Sequence, residues 1–164
     1  MNYAARALSA RAQTISELRT RLQRRAAQAH DVDQVLARLK EAGLLNDQRF
    51  AASFADWRKE NQGFGKARVM RDLIARRVAP ALAQKAVEAV YASADETAMI
   101  EDFLSRKYRG KDLPTLLSED KHLASAYRKL RQAGFSSGAS IRTLKRYTAS
   151  AQQLEEEAPE PPPD

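Results

Sequence analysis

Arginine is the residue type in this chain best placed to do chemistry, and it comes in clusters. Arg21, Arg24 and Arg25 fall in one short stretch, and Arg68, Arg71, Arg76 and Arg77 in a second. Arg128, Lys129 and Arg131 form a third, and Arg142, Lys145 and Arg146 a fourth. A guanidinium makes forked bonds to phosphate and to carboxylate alike. No single cluster selects a ligand. Their recurrence along the chain points to a long polyanion or an acidic protein surface, with the bland alternative a well-solvated basic exterior. The last ten residues hold five acids and no base, so the +7 of the whole chain is +12 on residues 1–154.

Other chemistry has little support. The two histidines, His30 and His122, lie far apart, beside Asp31 and Lys121 respectively, and read as surface residues. With no cysteine, thiolate catalysis, disulfides and cysteine zinc sites are excluded. No close set of ligands suggests a metal. Gly63-Phe64-Gly65-Lys66 superficially resembles a phosphate cradle. A P-loop needs Gly-x-x-x-x-Gly-Lys-Ser/Thr after a strand, whereas here Ala67 follows the lysine and a helical pattern precedes it. A tight turn between helices is the better account. The expectation is a protein that is not an enzyme and uses no cofactor or metal. No apolar run nears the roughly 18–20 residues that span a bilayer, and no secretory signal is evident. Cytoplasmic location is therefore expected.

These residues must be carried by helices. Ala, Leu, Arg, Glu and Gln dominate, glycine and proline are scarce, and apolar residues recur with the helical period. A pattern around one leucine repeats. Leu22, Leu73 and Leu130 are each followed five positions on by Ala27, Val78 and Phe135. Fourteen positions on come Leu36, Val87 and Leu144, and seventeen on come Leu39, Val90 and Tyr147. Such repetition implies an array of small helical units whose product is an extended surface.

The first unit, residues 1–45, is expected to hold a short helix over 4–12, a second opened by Thr14, and a third near Asp31. Thr14-Ile15-Ser16-Glu17 reads as a capping box, and Gly43 as a left-handed C-cap. The second unit, 46–93, opens on the cap pair Asn46-Asp47. Phe50, Phe54 and Trp57 share one helix face. That stripe reads as core, with base stacking the alternative. Pro80 suits a first helical turn. The third unit, 94–150, starts near Asp95, contains a basic connection over 106–114, and turns at Gly134-Phe135-Ser136-Ser137. The acidic, proline-rich residues 151–164 are expected to be a disordered tail.

Three stretches together resemble the RecX family of recombinase regulators over roughly residues 5–147. They are Ser16-Glu17-Leu18-Arg19-x-x-Leu22 with Val35-Leu36-x-x-Leu39; then Gly43-Leu44-Leu45-Asn46-Asp47-Gln48-Arg49-Phe50-Ala51 with Gly63-Phe64-Gly65-x-x-Arg68-Val69-x-x-x-Leu73; then Leu130-Arg131-x-x-Gly134-Phe135-Ser136 with Ile141 and Leu144. Two positions depart from the family pattern. Arg77 stands where glycine is common, and Ala133 where a basic residue often precedes Gly-Phe.

The resemblance implies an all-α fold of three tandem three-helix repeats forming an elongated, curved array. It also implies binding to RecA filaments on DNA, with inhibition of filament extension, ATP turnover and strand exchange in recombination, DNA repair and the SOS response. The four basic clusters above would form the face toward recombinase and DNA, with weak, sequence-independent contact to single- and double-stranded DNA, the protein itself a monomer. Two other readings stay open: an autonomous DNA-binding protein built of helix-turn-helix-like modules, and a helical scaffold for an acidic protein.

Overall fold

A computed structural model describes residues 2–26 and 28–154, with backbone alone at Asn2. The expectations for Ala27 and for the acidic segment 155–164 fall outside the described residues. Among those described there are ten α-helices, one short 3-10 helix and no strand. Chain contacts divide them into two compact units. Unit 1 comprises Met1–Arg58 and Met70–Ala92, and unit 2 comprises Lys59–Val69 and Ser93–Asp164.

Unit 1 holds α1 (Asn2–Ala10), α2 (Ile15–Gln23), α3 (Ala29–Glu41), most of α4 (Asp47–Gln62), the later part of α5 (Lys66–Ala75), and α6 (Pro80–Tyr91). The capping box at Thr14 is present: its side chain accepts from Glu17 N, and Glu17 accepts from Thr14 N. Thr14 Oγ1 also donates to Arg76 O at 2.9 Å, and Ile15 N donates to Asp47 Oδ1 at 2.8 Å. One helix start is thereby tied to the end of α5 and the start of α4. Asp47 is thus spent on α2, and Asn46 caps α4 by accepting from Arg49 N. Leu18, Val32, Leu36, Leu39 and Leu45 form one core with Ala4 and Ala7, against which Leu22 packs only partly buried. Leu22 differs here from its counterparts Leu73 and Leu130, which are fully buried.

The five-residue spacing after the leucine has a local cause. Helix α5 ends with Val78 N donating to Leu73 O at 3.1 Å, and Arg77 between them takes φ +60°. The next helix pair repeats this turn: Phe135 N donates to Leu130 O at 3.1 Å around Gly134 at φ +93°. Both are left-handed helix ends in which the residue beyond the cap folds back on the last turn. Gly43, at φ +67°, ends α3 in the same way, with Leu44 N donating to Leu39 O.

Unit 2 holds α7 (Glu96–Lys107), α8 (Leu113–Leu117), α9 (Asp120–Gln132), α10 (Ser137–Lys145) and the 3-10 helix (Ala149–Gln152). Part of the basic connection expected over 106–114 is therefore helical: Asp112 caps α8, and Pro114 sits in its first turn. Asp95 caps α7, and Ser136 caps α10 while both its N–H and its hydroxyl donate to Glu96. Ile100, Leu104, Leu117, Leu123, Leu130, Phe135, Ile141 and Leu144 form the core. Ala151 and Leu154 are buried in that core too. The tail boundary expected at 151 is therefore corrected. Two apolar side chains and the Thr148 cap keep residues 151–154 in the folded body.

Of the two glycines in Gly63-Phe64-Gly65, Gly65 lies against another backbone, whereas Gly63, at φ +63°, lies against the Arg106 side chain. Gly65 N donates to Ala133 O at 2.8 Å, and Ala67 N donates to Gly134 O at 3.2 Å. The start of α5 and the end of α9 thereby satisfy each other's unpaired groups, and their dipoles meet with opposite sign. A Cβ at Gly65 would lie 2.4 Å from Gly134 O, and one at Gly134 2.2 Å from Arg68 N. By contrast, Gly110 has φ +76° but nothing within 4 Å of an added Cβ.

Substitution should separate these cases. Gly110→Ala is expected to cost about 1–2 kcal/mol, the left-handed penalty alone. Gly134→Ala is expected to cost about 2–4 kcal/mol, because backbone must also move apart. Urea unfolding of the two variants checks this; equal losses would contradict the close-approach assignment.

Candidate partner-binding surface

The thirteen basic residues picked out by clustering do not share one role. Arg76 is structural. Its Nε donates to Glu17 Oε1 at 3.0 Å and its Nη2 to Glu17 Oε2 at 3.1 Å. The guanidinium also lies over the rings of Phe50 and Phe54, 4.7 and 5.3 Å from their centroids. Burial alone would raise the Glu17 carboxyl. The forked bond from Arg76, the Thr14 N–H and the charges of Arg76 and Arg11 outweigh it and hold the group below its ordinary value near 4.5. Elsewhere in unit 1, Arg21 donates to Gln13 Oε1 at 2.9 Å and Arg25 lies over the Tyr3 ring. Arg24, Arg71 and Arg77 are exposed.

In unit 2, Arg68 lies over the Phe64 ring and donates to Gln132 O at 3.4 Å. Arg131 donates to Phe135 O, and Lys129 to Tyr108 Oη at 3.2 Å. These side chains gather at the C-terminal end of α9, where cations complement the helix dipole. Arg146 pairs with Glu101, and Lys145 is half-buried. Arg128 and Arg142 are exposed. The side chains turned to solvent are therefore Arg24, Arg25, Arg71 and Arg77 in unit 1, and Arg128, Arg131, Arg142 and Arg146 in unit 2. Of these, Arg25, Arg131 and Arg146 also make the contacts above.

The aromatic stripe on α4 divides along its length. Phe50 is buried and stacks on Phe54 at 5.7 Å, while Trp57 is 50% exposed. The core expectation therefore holds at Phe50 and fails at Trp57. The reason is local: the next residue, Arg58, is half-buried instead, bridging to Asp72 at 3.3 Å and lying over Phe54 and Trp57. Trp57 and the exposed Leu44 border a groove of about 820 Å³, with Arg11 and Arg49 on its rim. The four basic clusters leave out Arg11 and Arg49, and the aromatic stripe leaves out Leu44. The available signal was a helix face with arginines at both ends of the aromatic run.

His30 contacts Gln34 at 2.9 Å and His122 faces Glu119 at 3.4 Å. Among the described residues no group of three or more His, Asp or Glu is placed to hold a metal. None of their helices is long and apolar enough to cross a membrane.

Comparison with known proteins agrees across sequence and fold. A family model described as "RecX, first three-helix domain" matches residues 1–39, and "RecX, second three-helix domain" matches 46–87. A "Regulatory protein RecX" of Streptomyces coelicolor is 29% identical over 152 residues, covering 93% of this chain and 76% of the relative. One from Trichlorobacter lovleyi is 31% identical over 109 residues, covering 66% and 71%. One from Deinococcus radiodurans is 33% identical over 133 residues, covering 81% and 60%. The crystal structure of RecX from Lactobacillus salivarius superposes with TM-score 0.68 at 16% identity, over 90% of this chain and 94% of that one; at this identity the likeness concerns the fold.

Two stability effects follow from the geometry. Glu17 is more acidic folded than unfolded, so its contribution is complete above pH 4.5 and disappears as pH falls through its lowered value. Acid unfolding curves should show that loss, and Glu17→Gln should flatten it while lowering stability at pH 7. A variant with wild-type stability at both pH values would contradict the pairing. Arg77→Gly should raise stability by about 1 kcal/mol by relieving left-handed strain. Thermal unfolding checks this, and a lowered midpoint would contradict it.

Proposed function

This chain belongs to the RecX family of regulatory proteins, and on that premise we propose that it acts on RecA recombinase assembled on DNA. In this reading it slows filament extension, ATP turnover and strand exchange in recombination, DNA repair and the SOS response. The action is steric and electrostatic, with no bond made or broken by the protein itself. Segments 1–45, 46–93 and 94–150 serve as three successive binding modules. Each contact is weak, and linkage raises the effective concentration of the next, so that avidity exceeds the affinity of any one. DNA adds backbone contact without base readout, weak and steeply dependent on salt. The protein works as a monomer in the cytoplasm.

The observation that carries this reading is the distribution of exposed arginines. Arg24 follows α2, Arg77 follows α5, Arg128 is on α9 and Arg142 on α10, so every module presents at least one. Arg68, Arg76, Lys129, Arg131 and Arg146 support the fold as well, which makes them poor probes of partner contact. The remaining cluster members, Arg21, Arg25, Arg71 and Lys145, belong to the same proposed basic face.

The test is a binding titration against recombinase on labelled single-stranded DNA. Changing Arg24, Arg77, Arg128 and Arg142 together to glutamate is expected to weaken binding by about tenfold or more, with helicity unchanged by circular dichroism. Undiminished affinity would overturn the assignment of the face. Equal binding to a bare duplex of defined sequence, with no preference for the recombinase complex, would favour an autonomous DNA-binding protein instead.

A further inference from the structure

The connection between α7 and α8 carries positive charge that neither the core nor the four basic clusters account for. Arg106, Lys107, Arg109 and Lys111 put four cations into six residues, and all four are exposed. Among the described residues no carboxylate pairs with any of them. Asp112, the only acid over 106–114, accepts from Thr115 N at 3.3 Å and from Thr115 Oγ1, and so caps α8 instead. Arg106 and Lys107 lie in the last turn of α7, where they complement its dipole. Arg109 and Lys111 lie beyond that helix, so the dipole does not explain them. The connection is also held in one shape. Lys111 N donates to Tyr108 O at 3.0 Å, closing a turn in which Gly110 takes φ +76°. Tyr108 and Leu113, on either side of the turn, pack against the unit 2 core. Lys129 Nζ donates to Tyr108 Oη at 3.2 Å and lies 5.1 Å from the ring centroid. Arg106 Nε donates to Asp102 O at 3.3 Å, and its guanidinium rests against Gly63, where a Cβ would lie 2.0 Å from Nη2. A cavity of about 190 Å³ runs along the turn, with no acid among its lining residues.

The chemistry of this surface narrows its ligand. A protein interface has an apolar centre ringed by polar groups. Over 106–111 the exposed side chains are all cationic, and the one aromatic, Tyr108, is half-buried with Lys129 over its ring. Unstacked bases would need an open aromatic platform. What remains is closely spaced charge, which matches a DNA duplex with one phosphate per about 1.7 Å of axis. We propose that the connection Arg106–Lys111 binds the phosphate backbone of duplex DNA without reading its sequence. Arg109 and Lys111 reach neighbouring phosphates from the two sides of Gly110. With no side chain there, and nothing within 4 Å of an added Cβ, the turn itself comes close to the DNA backbone. This site rests on the proposed backbone contact with DNA. It assigns that contact to residues outside the four basic clusters, which leaves the clusters to the recombinase.

The test is fluorescence anisotropy of a labelled duplex of mixed sequence, titrated with the full chain at several salt concentrations and without recombinase. Arg109→Glu with Lys111→Glu should weaken binding about tenfold or more at low salt, with circular dichroism unchanged. Arg109→Ala with Lys111→Ala should reduce the slope of log affinity against log salt by about 1–2, since each lost phosphate contact removes about 0.9. Lys40→Glu with Lys85→Glu, an equal change of charge at exposed positions on α3 and α6, should weaken binding far less. Unchanged affinity and slope in the 109/111 variants would overturn the proposal. An equal loss in the 40/85 variant would do the same, by showing an effect of net charge alone. Displacement of the duplex by poly-glutamate as readily as by unlabelled duplex of matched charge would assign the connection to an acidic protein surface instead. No recombinase is present, so this site and the regulatory reading can fail separately.

Discussion

The constraint around which unit 2 is arranged is the contact between the backbones at Gly65 and Gly134. Two helix ends meet with almost no side chain between them. One supplies free N–H groups, the other free carbonyls, and two hydrogen bonds close the gap. The arrangement exists because both positions lack a Cβ, and at Gly134 also because the chain must turn left-handed. Phe135, the next residue, then reaches the centre of its core and meets Phe103 edge-on at 5.8 Å. Arg68, Arg131 and Lys129 are positioned around that corner. The likeness of Gly63-Phe64-Gly65-Lys66 to a phosphate loop was thus a likeness of composition. The same permissiveness that lets a backbone approach phosphate lets one approach another backbone.

Positive charge does two jobs here. Arg76 is held by a carboxylate, stacked on two rings and used by Thr14 as a backbone acceptor. Removing it would damage the fold before it affected any partner. Arg24, Arg77, Arg128 and Arg142 lie at the surface. A binding face composed of such residues is diffuse by construction, since exposed charges act over about 8 Å at physiological salt and tolerate small displacements. That suits a partner whose surface repeats. In the proposed regulation the interaction accordingly rests on many weak contacts and not on one pocket.

What could be read from the residue order was what is local. The capping box at Thr14 closes within three residues. The five-residue step from Leu73 to Val78 and from Leu130 to Phe135 is one turn motif, visible as spacing before its hydrogen bonds were known. Gly43 was legible for the same reason. Contacts between distant segments were not. Nothing around Glu17 indicates that its partner is Arg76, and nothing around Gly65 indicates Gly134. Leu22 shows the limit of the repeat itself: the first copy keeps the letter of the pattern while Leu18 takes the fully buried place. Trp57 shows the limit of periodicity, which groups residues on a face but does not say where along the helix that face leaves the core.

Membership in the RecX family and an all-α arrangement of three-helix domains give the proposed regulation its context, and the exposed arginines give it a mechanism. The most direct measurement of that account is ATP hydrolysis by RecA on single-stranded DNA as this protein is added. The account predicts a dose-dependent fall, because protein engaging successive recombinase subunits slows filament extension and ATP turnover. Hydrolysis that stays constant up to several-fold molar excess, with recombinase fully active, would contradict it.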